Sequence, residues 1–357
     1  MLLRTPHSGC HWDGKRRPFF EGWYYRLTLP PNTSVAAESI AFMVSLQTPA
    51  GSGQGEMPVG FGGTVQILGP QDQLVSRSFP DLSTFWAHRD RLGHGQAHGG
   101  GEEFYHASAN HHEGCIRIAA TGERIRWCFA VEPTYGWGAP HRRQQSTAGW
   151  LSRFPIFEPG WQILMAHGWA SGWIEWQQPA SCAGASLRRH FDRVPAYAEK
   201  NWGGSFPSQW FWVQCNAFEQ HRDLTLTAAG GIRKVLGREE CAGLVGIHHH
   251  GVFYEFVPWN ARVSWQVDPW GCWRIQAEQK RYRVELLGTC TDAGVLVQVP
   301  TAAGLRFICR DTTRGELRLK LWRRRGQSLE LVLEASSRQA GLEVGGAEWS
   351  LPWVKLS

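Results

Sequence analysis

Five acidic residues stand inside aromatic or arginine-flanked runs, where a side chain could do proton chemistry. Glu21 follows Phe19-Phe20 and precedes Trp23-Tyr24, and Glu199 lies in Tyr197-Ala-Glu-Lys-Asn-Trp202. Glu175 sits between Trp173 and Trp176, Glu255 between Tyr254 and Phe256, and Asp311 within Arg310-Asp-Thr-Thr-Arg314. A carboxyl enclosed by apolar side chains keeps its proton toward neutral pH, because desolvation disfavours its ion, and it can then act as a general acid. The commoner role for each is a solvent-facing strand residue or a partner of Arg or Lys. Arg310, Asp311 and Arg314 read first as a buried salt-bridge network closing a barrel. His248-His249-His250 has the look of a metal site, but strand alternation would part His249 from its neighbours, and no CxxC or carboxylate lies at a fixed offset. No metal is expected. A histidine is better suited to accepting a proton near neutrality. His94, His98, His111 and His112, in a Gly-rich tract, read as exposed loop residues, whereas His7 and His11 could sit at a cavity mouth.

The elements that must carry these residues are short. The chain has 357 residues with 20 Trp, 17 Phe, 7 Tyr, 41 Gly and 19 Pro, and a formal net charge of +6. Length sets a prior of two domains, and the aromatic excess excludes disorder. Segments 20–29, 39–46, 63–68, 124–131, 168–176, 210–217, 225–229, 252–257, 262–267, 281–287 and 317–322 are β-branched or aromatic and bounded by Gly, Pro, Asn or Asp. That pattern predicts an all-β chain of antiparallel sandwiches or barrels, with few helical pieces, one near 81–87. Cys128-Phe-Ala-Val-Glu-Pro133 echoes Trp265-Gln-Val-Asp-Pro269, and Glu21-Gly-Trp23 echoes Glu199-Lys-Asn-Trp202. The echoes suggest two related β-domains, 1–185 and 196–357, broken in the turn-rich 178–196 stretch; chance similarity is the alternative.

Nine scattered cysteines without a CxxC pair argue for free thiols rather than a disulfide framework or a zinc ribbon. No apolar run of 18 residues exists, and the start lacks the basic-then-apolar pattern of a secretory signal. The basic runs Lys15-Arg16-Arg17 and Arg323-Arg324-Arg325 read as solvated loop or strand edge, with phosphate or anionic-lipid contact as the alternative. No nucleic-acid partner is expected, and the oligomeric state is open.

Read as an ordered series, the motifs resemble the tocopherol cyclase family. The series begins with Pro6-His-Ser-Gly-Cys-His-Trp12 and Pro18-Phe-Phe-Glu-Gly-Trp-Tyr24, then Gly63-Thr-Val-Gln-Ile-Leu-Gly-Pro70 and Glu158-Pro-Gly-Trp-Gln-Ile-Leu164. It continues through Tyr197-Ala-Glu-Lys-Asn-Trp-Gly203, Ser205-Phe-Pro-Ser-Gln-Trp-Phe-Trp212 and Phe253-Tyr-Glu-Phe256, and ends with Cys309-Arg-Asp-Thr-Thr-Arg-Gly315 and Gly341-Leu-Glu-Val-Gly-Gly346. The Tyr197–Gly203 block also looks like one found in lipocalin-like carotenoid hydratases.

The resemblance implies two lipocalin-like β-barrels and closure of a chromanol ring on a methyl- or dimethyl-phytyl-benzoquinol, without cofactor. Hydration of a prenyl alkene and non-catalytic carriage of a prenylquinone are the rival activities. It raises Glu199 and Glu21 above the other acids, with Asn201 as a hydrogen-bonding neighbour. In a strand, Glu199 could face the cavity with Asn201 while Lys200 faces away, or the reverse. Trp23, Tyr24, Tyr197, Trp202, Trp210, Trp212, Glu255 and Trp265 are expected to wall a dry substrate pocket. A phytyl-bearing substrate implies peripheral contact with a photosynthetic or other internal membrane, from the cytoplasmic side. Trp150-Leu151 and Phe154-Pro-Ile-Phe157, beside Arg142, Arg143 and Arg153, are the candidate lipid contacts, with simple core packing as the alternative.

Overall fold

Alternating apolar and polar residues become strands whose two faces differ. In Arg262–Val267, residues Val263, Trp265 and Val267 are buried while Arg262 and Gln266 are exposed. Residues 6–14, 18–31, 37–49, 61–154, 156–177 and 186–356 are described by this computed structural model. Almost all of it is antiparallel strand. Among the described residues there is no α-helix, only four short 3-10 turns. The 81–87 stretch holds one of them, Leu82–Thr84, capped by the Asp81 side chain, followed by a two-residue strand.

The strands form two large curled sheets. In the first, an eleven-stranded sheet, the neighbours across the centre are Gly62–Leu68, Glu38–Thr48, Phe19–Leu29, Ser186–Gly203, Gly160–Gln177 and Arg124–Tyr135. In the second, twelve-stranded sheet they are Arg238–His249, Thr225–Val235, Gln209–Cys215, Ser328–Gly346, Gly304–Arg325 and Tyr282–Thr289. The order is the same in both. Each half runs as a meander whose last long hairpin returns to pair with its first strand. The chain is therefore duplicated in topology, but not along the sequence echoes. Cys128 lies on the strand that precedes the closing hairpin, whereas Trp265 lies two strands earlier in its own half.

The first sheet runs through Gly203, and the second takes over at Gln209. Residues 186–203 thus belong with the N-terminal half, and the change of sheet falls at 204–208 rather than in 178–196. Residues 178–185 lie outside the described residues. Pro195 makes the closing strand hard to read as strand, since it donates no backbone hydrogen bond. It is tolerated because pairing with Phe19–Leu29 stops at Ala196, leaving Pro195 paired on one side only.

Each half has its own core. Trp23, Tyr25, Leu27 and Leu29 point into the first, and Phe211, Val213 and Cys215 into the second. The alternate residues of those same strands face the other sheet. Arg26 shows this directly: it donates to Gln214 Oε1 at 2.7 Å and to the Thr313 and Gln339 carbonyls at 3.1 and 2.6 Å. A third apolar cluster, including Tyr135, Trp137, Ile163, Tyr197 and Trp212, fills the seam between the halves.

The glycine and tryptophan contents are linked. Gly160 is the register partner of Trp202, and Gly345 of Trp210. A Cβ on either glycine would lie 2.3 Å or 2.1 Å from the indole, so each ring lies flat over bare backbone.

Candidate active site

A cavity of about 460 Å³ opens at the seam, lined by residues of both halves and largely by aromatic rings. Its best-defined polar group is Glu199. Tyr197, Glu199 and Asn201 alternate onto the seam face of their strand, which settles the orientation left open by sequence. Tyr24 is the cross-strand partner of Glu199. The Tyr197 hydroxyl donates to Glu199 Oε2 at 2.6 Å, and the Trp161 and Trp212 indoles donate to the same oxygen at 3.1 Å each. Indole N–H groups only donate, so Oε2 is held as an acceptor, which favours the carboxylic proton on Oε1. No described residue hydrogen-bonds Oε1, and Glu199 lines the cavity. Burial drives its pKa up to about 7, with the three donors opposing that rise and Glu343 adding to it.

Glu343 occupies the corresponding place in the second half. It is the cross-strand partner of Trp212, as Glu199 is of Tyr24, and it lines the same cavity. The Trp210 indole donates to its Oε1, and burial raises its pKa. It lies in the Gly341–Gly346 block of the motif series, but no aromatic residue stands beside it to mark it in the sequence. The signal that could have found it was the duplication. Next to it, Asp311 is buried with both carboxylate oxygens unpartnered among the described residues, and burial and Glu343 push its pKa well up. The expected Arg310–Asp311–Arg314 network is absent: Arg310 lies over the Trp270 ring and Arg314 pairs with Asp292.

Glu21 faces the opposite side of its sheet with Lys200, and does not line the cavity. Its carboxylate pairs with the Lys200 ammonium, and it accepts from the backbone N–H of His11 at 2.7 Å and of Trp12 at 3.3 Å. Burial would raise its pKa, but Lys200 and His11 outweigh that and bring it to about 2. It is an ionised carboxylate, not a reservoir of protons. It does hold His11, whose Nδ1 is 3.3 Å from Glu21 Oε1 and whose ring stacks on Trp202 with centroids 4.0 Å apart. His7 and His11 both line the cavity.

Trp23, Tyr24, Trp202, Trp210 and Trp212 line the cavity, as does Asn201, whose amide takes no side-chain hydrogen bond among the described residues. Tyr197 reaches the site only through its hydroxyl. Glu255 accepts from the Trp137 indole at 2.7 Å and is not a lining residue, and Trp265 belongs to the second core. Glu175 pairs with Arg126 and Arg188. His248 lies on a strand, stacked on Tyr135 and within 2.7 Å of the Gly138 carbonyl. His94 and His112 are buried strand residues rather than loop residues, His94 within 2.8 Å of the Tyr25 hydroxyl. Arg324 and Arg325 pair with Glu278 and Glu330 at a hairpin end, and 15–17 lie outside the described residues.

At the cavity mouth the wall turns outward. Phe154 and Trp259 line it and are still 52% and 51% exposed, and Trp150, packed edge-on against Phe154, is 70% exposed. Phe157 is a half-buried lining residue.

The chain is 39% identical to the probable chloroplastic tocopherol cyclase of Oryza sativa subsp. japonica and to the chloroplastic tocopherol cyclase of Zea mays. Each match covers 98% of this chain and 80% of the relative. A crystal structure of a Nitrosomonas europaea protein assigned as AttH superposes with a TM-score of 0.49 at 12% identity, over 97% of each chain. The model of the tocopherol cyclase-like family matches residues 17–346. By that match and those relatives, the chain belongs to the tocopherol cyclase family.

Proposed function

We propose that the protein is a tocopherol cyclase that closes the chromanol ring of a methyl- or dimethyl-phytyl-benzoquinol, with Glu199 as the proton donor. The observation that carries this reading is the convergence of three donors on Oε2 of a cavity-lining glutamate, which favours the acidic proton on Oε1. Glu199 Oε1 gives its proton to the alkene carbon nearer the ring, and the π pair forms the new C–H bond. Positive charge develops on the methyl-bearing carbon. The phenolic oxygen attacks that carbon, forming the C–O bond that closes the six-membered ring, and its proton leaves. One proton enters and one leaves, with no electron transfer, so the chemistry calls for no redox cofactor.

Aromatic faces around the cavity favour the developing cation, by about 2 kcal/mol or more for a desolvated contact. The same rings exclude water, which would otherwise capture the cation as a tertiary alcohol. Asn201, two residues from Glu199 on the same strand face, is placed to hydrogen-bond a quinol oxygen. His11, oriented by Glu21, is placed to take the phenolic proton; Glu21 is then a positioning residue. The exposed aromatics Trp150, Phe154 and Trp259 form an apolar lip where the phytyl tail can leave the cavity for a lipid surface. This reading places the protein at a membrane face; no helix among the described residues is long and apolar enough to cross a membrane.

The test is incubation of purified protein with the dimethyl-phytyl-benzoquinol and separation of products. Chromanol is expected. Tertiary alcohol would make the protein a hydratase, and unchanged quinol that co-elutes with protein would make it a carrier.

A further inference from the structure

A second cluster of reactive side chains lies on the outer face of the first sheet, and none of its members lines the cavity. Three antiparallel neighbours, Glu103–Ser108, His111–Arg117 and Arg124–Tyr135, set His106 directly opposite Glu113 and Glu113 directly opposite Cys128. His111 is two residues from Glu113 on one strand and so shares its face. His106 Nδ1 is 3.4 Å from Glu113 Oε1, and His111 Nε2 is 3.4 Å from Glu113 Oε2. The donor atoms of His111, Glu113 and Cys128 all lie within 4.8 Å of one another. Tetrahedral Zn²⁺, bound to N and O at about 2.0–2.1 Å and to S at about 2.3 Å, keeps neighbouring donors roughly 3.3–3.6 Å apart. The His111–Glu113 spacing already matches, and the Cys128 sulfur lies within 4.8 Å of the other two donor atoms. Charge pairing alone explains two histidines around a glutamate. It does not explain a free thiol in the same ring of atoms.

We propose that His111, Glu113 and Cys128 form a three-donor surface site for a borderline divalent cation such as Zn²⁺. The mix of imidazole, carboxylate and thiolate favours Zn²⁺ and Co²⁺ over the oxygen-seeking Mg²⁺ and Ca²⁺. A thiol binds such an ion as its thiolate, so binding releases a proton. The ion would tie two adjacent strands together. This site is independent of the cyclase reading, since it shares no residue with the cavity.

Titration of the full chain with Co²⁺, followed by absorbance, tests it. The expected result is a thiolate-to-cobalt charge-transfer band with tetrahedral d–d bands, saturating at one ion per chain and bleached by Zn²⁺. Cys128→Ser should remove the charge-transfer band, and His111→Ala should weaken binding by roughly tenfold or more, both with an unchanged far-UV spectrum. Asp223, His249 and His250 form another candidate group but bring no thiol, so an ion there gives no such band. Absence of the band in the wild type, or its persistence in Cys128→Ser, overturns the proposal.

Discussion

At the residue scale, catalysis depends on the proton that Glu199 carries into the cavity. Glu199→Gln keeps the shape and the hydrogen-bond acceptor but has no proton to give. Turnover should fall by about 10³-fold or more, with quinol binding and melting temperature close to wild type. Glu343→Gln should retain most of the activity, since Glu343 is held by Trp210 and is not the donor; comparing the two variants under identical assay separates the carboxyls. The pH dependence has a definite sign. Protonated Glu199 is the active form, so kcat should decline as pH rises past about 7, following the raised Glu199 pKa. Indole donors stabilise the ionised form, so Trp161→Phe should move the descending limb to higher pH. A limb that moves down, or does not move, would show that Trp161 does not set this proton. The residue types were readable in the sequence: Glu199, Asn201 and the tryptophans stand in dense aromatic blocks. Their partners were not. That Glu21 is paired with Lys200 depends on strand register across 179 residues of chain, which no local pattern carries.

At the scale of elements, two features hold the site. The first is the closing strand Ser186–Gly203, whose alternation sends Glu199 into the cavity and Lys200 to Glu21. Its charge and its proline disguise it as a linker, which is why the break between halves reads too early in the sequence. Glu21→Gln leaves a buried ammonium without its counter-charge and should cost about 3–5 kcal/mol, measured as a loss in chemical denaturation. Because the Glu21 pKa is depressed from 4.5 to about 2 in the fold, its contribution is present above 4.5 and lost as pH falls toward 2. The Glu21→Gln variant should therefore show a shallower acid unfolding transition than wild type. The second feature is the glycine beneath Trp202 and beneath Trp210. Gly345→Ala places a methyl inside the Trp210 ring and should destabilise by about 1–3 kcal/mol; equal stability would mean the indole is free to shift.

Across the whole molecule, duplication explains why one cavity has two carboxyls. Each half contributes its closing strand and first strand to the seam, so Glu199 with Tyr24 and Glu343 with Trp212 come together from equivalent places. The two-part β architecture was legible from the many short alternating segments. The pairing of halves was not, because the two halves share strand order without sharing a sequence pattern. The tryptophans likewise divide by burial: Trp210 and Trp212 wall the seam, while Trp150 and Trp259 are exposed at its mouth. Replacing Trp150 and Phe154 with serine should reduce co-sedimentation with anionic liposomes while leaving turnover of detergent-dispersed quinol unchanged. Undiminished sedimentation would place membrane contact elsewhere. The central claim, that Glu199 delivers a proton to the prenyl alkene inside this seam, is tested most directly by turnover in D₂O with mass analysis of the chromanol. Wild type should place one deuterium on the ring carbon next to the newly formed C–O bond, and Glu199→Gln should yield no labelled chromanol; labelled product from Glu199→Gln at the wild-type rate would contradict the account.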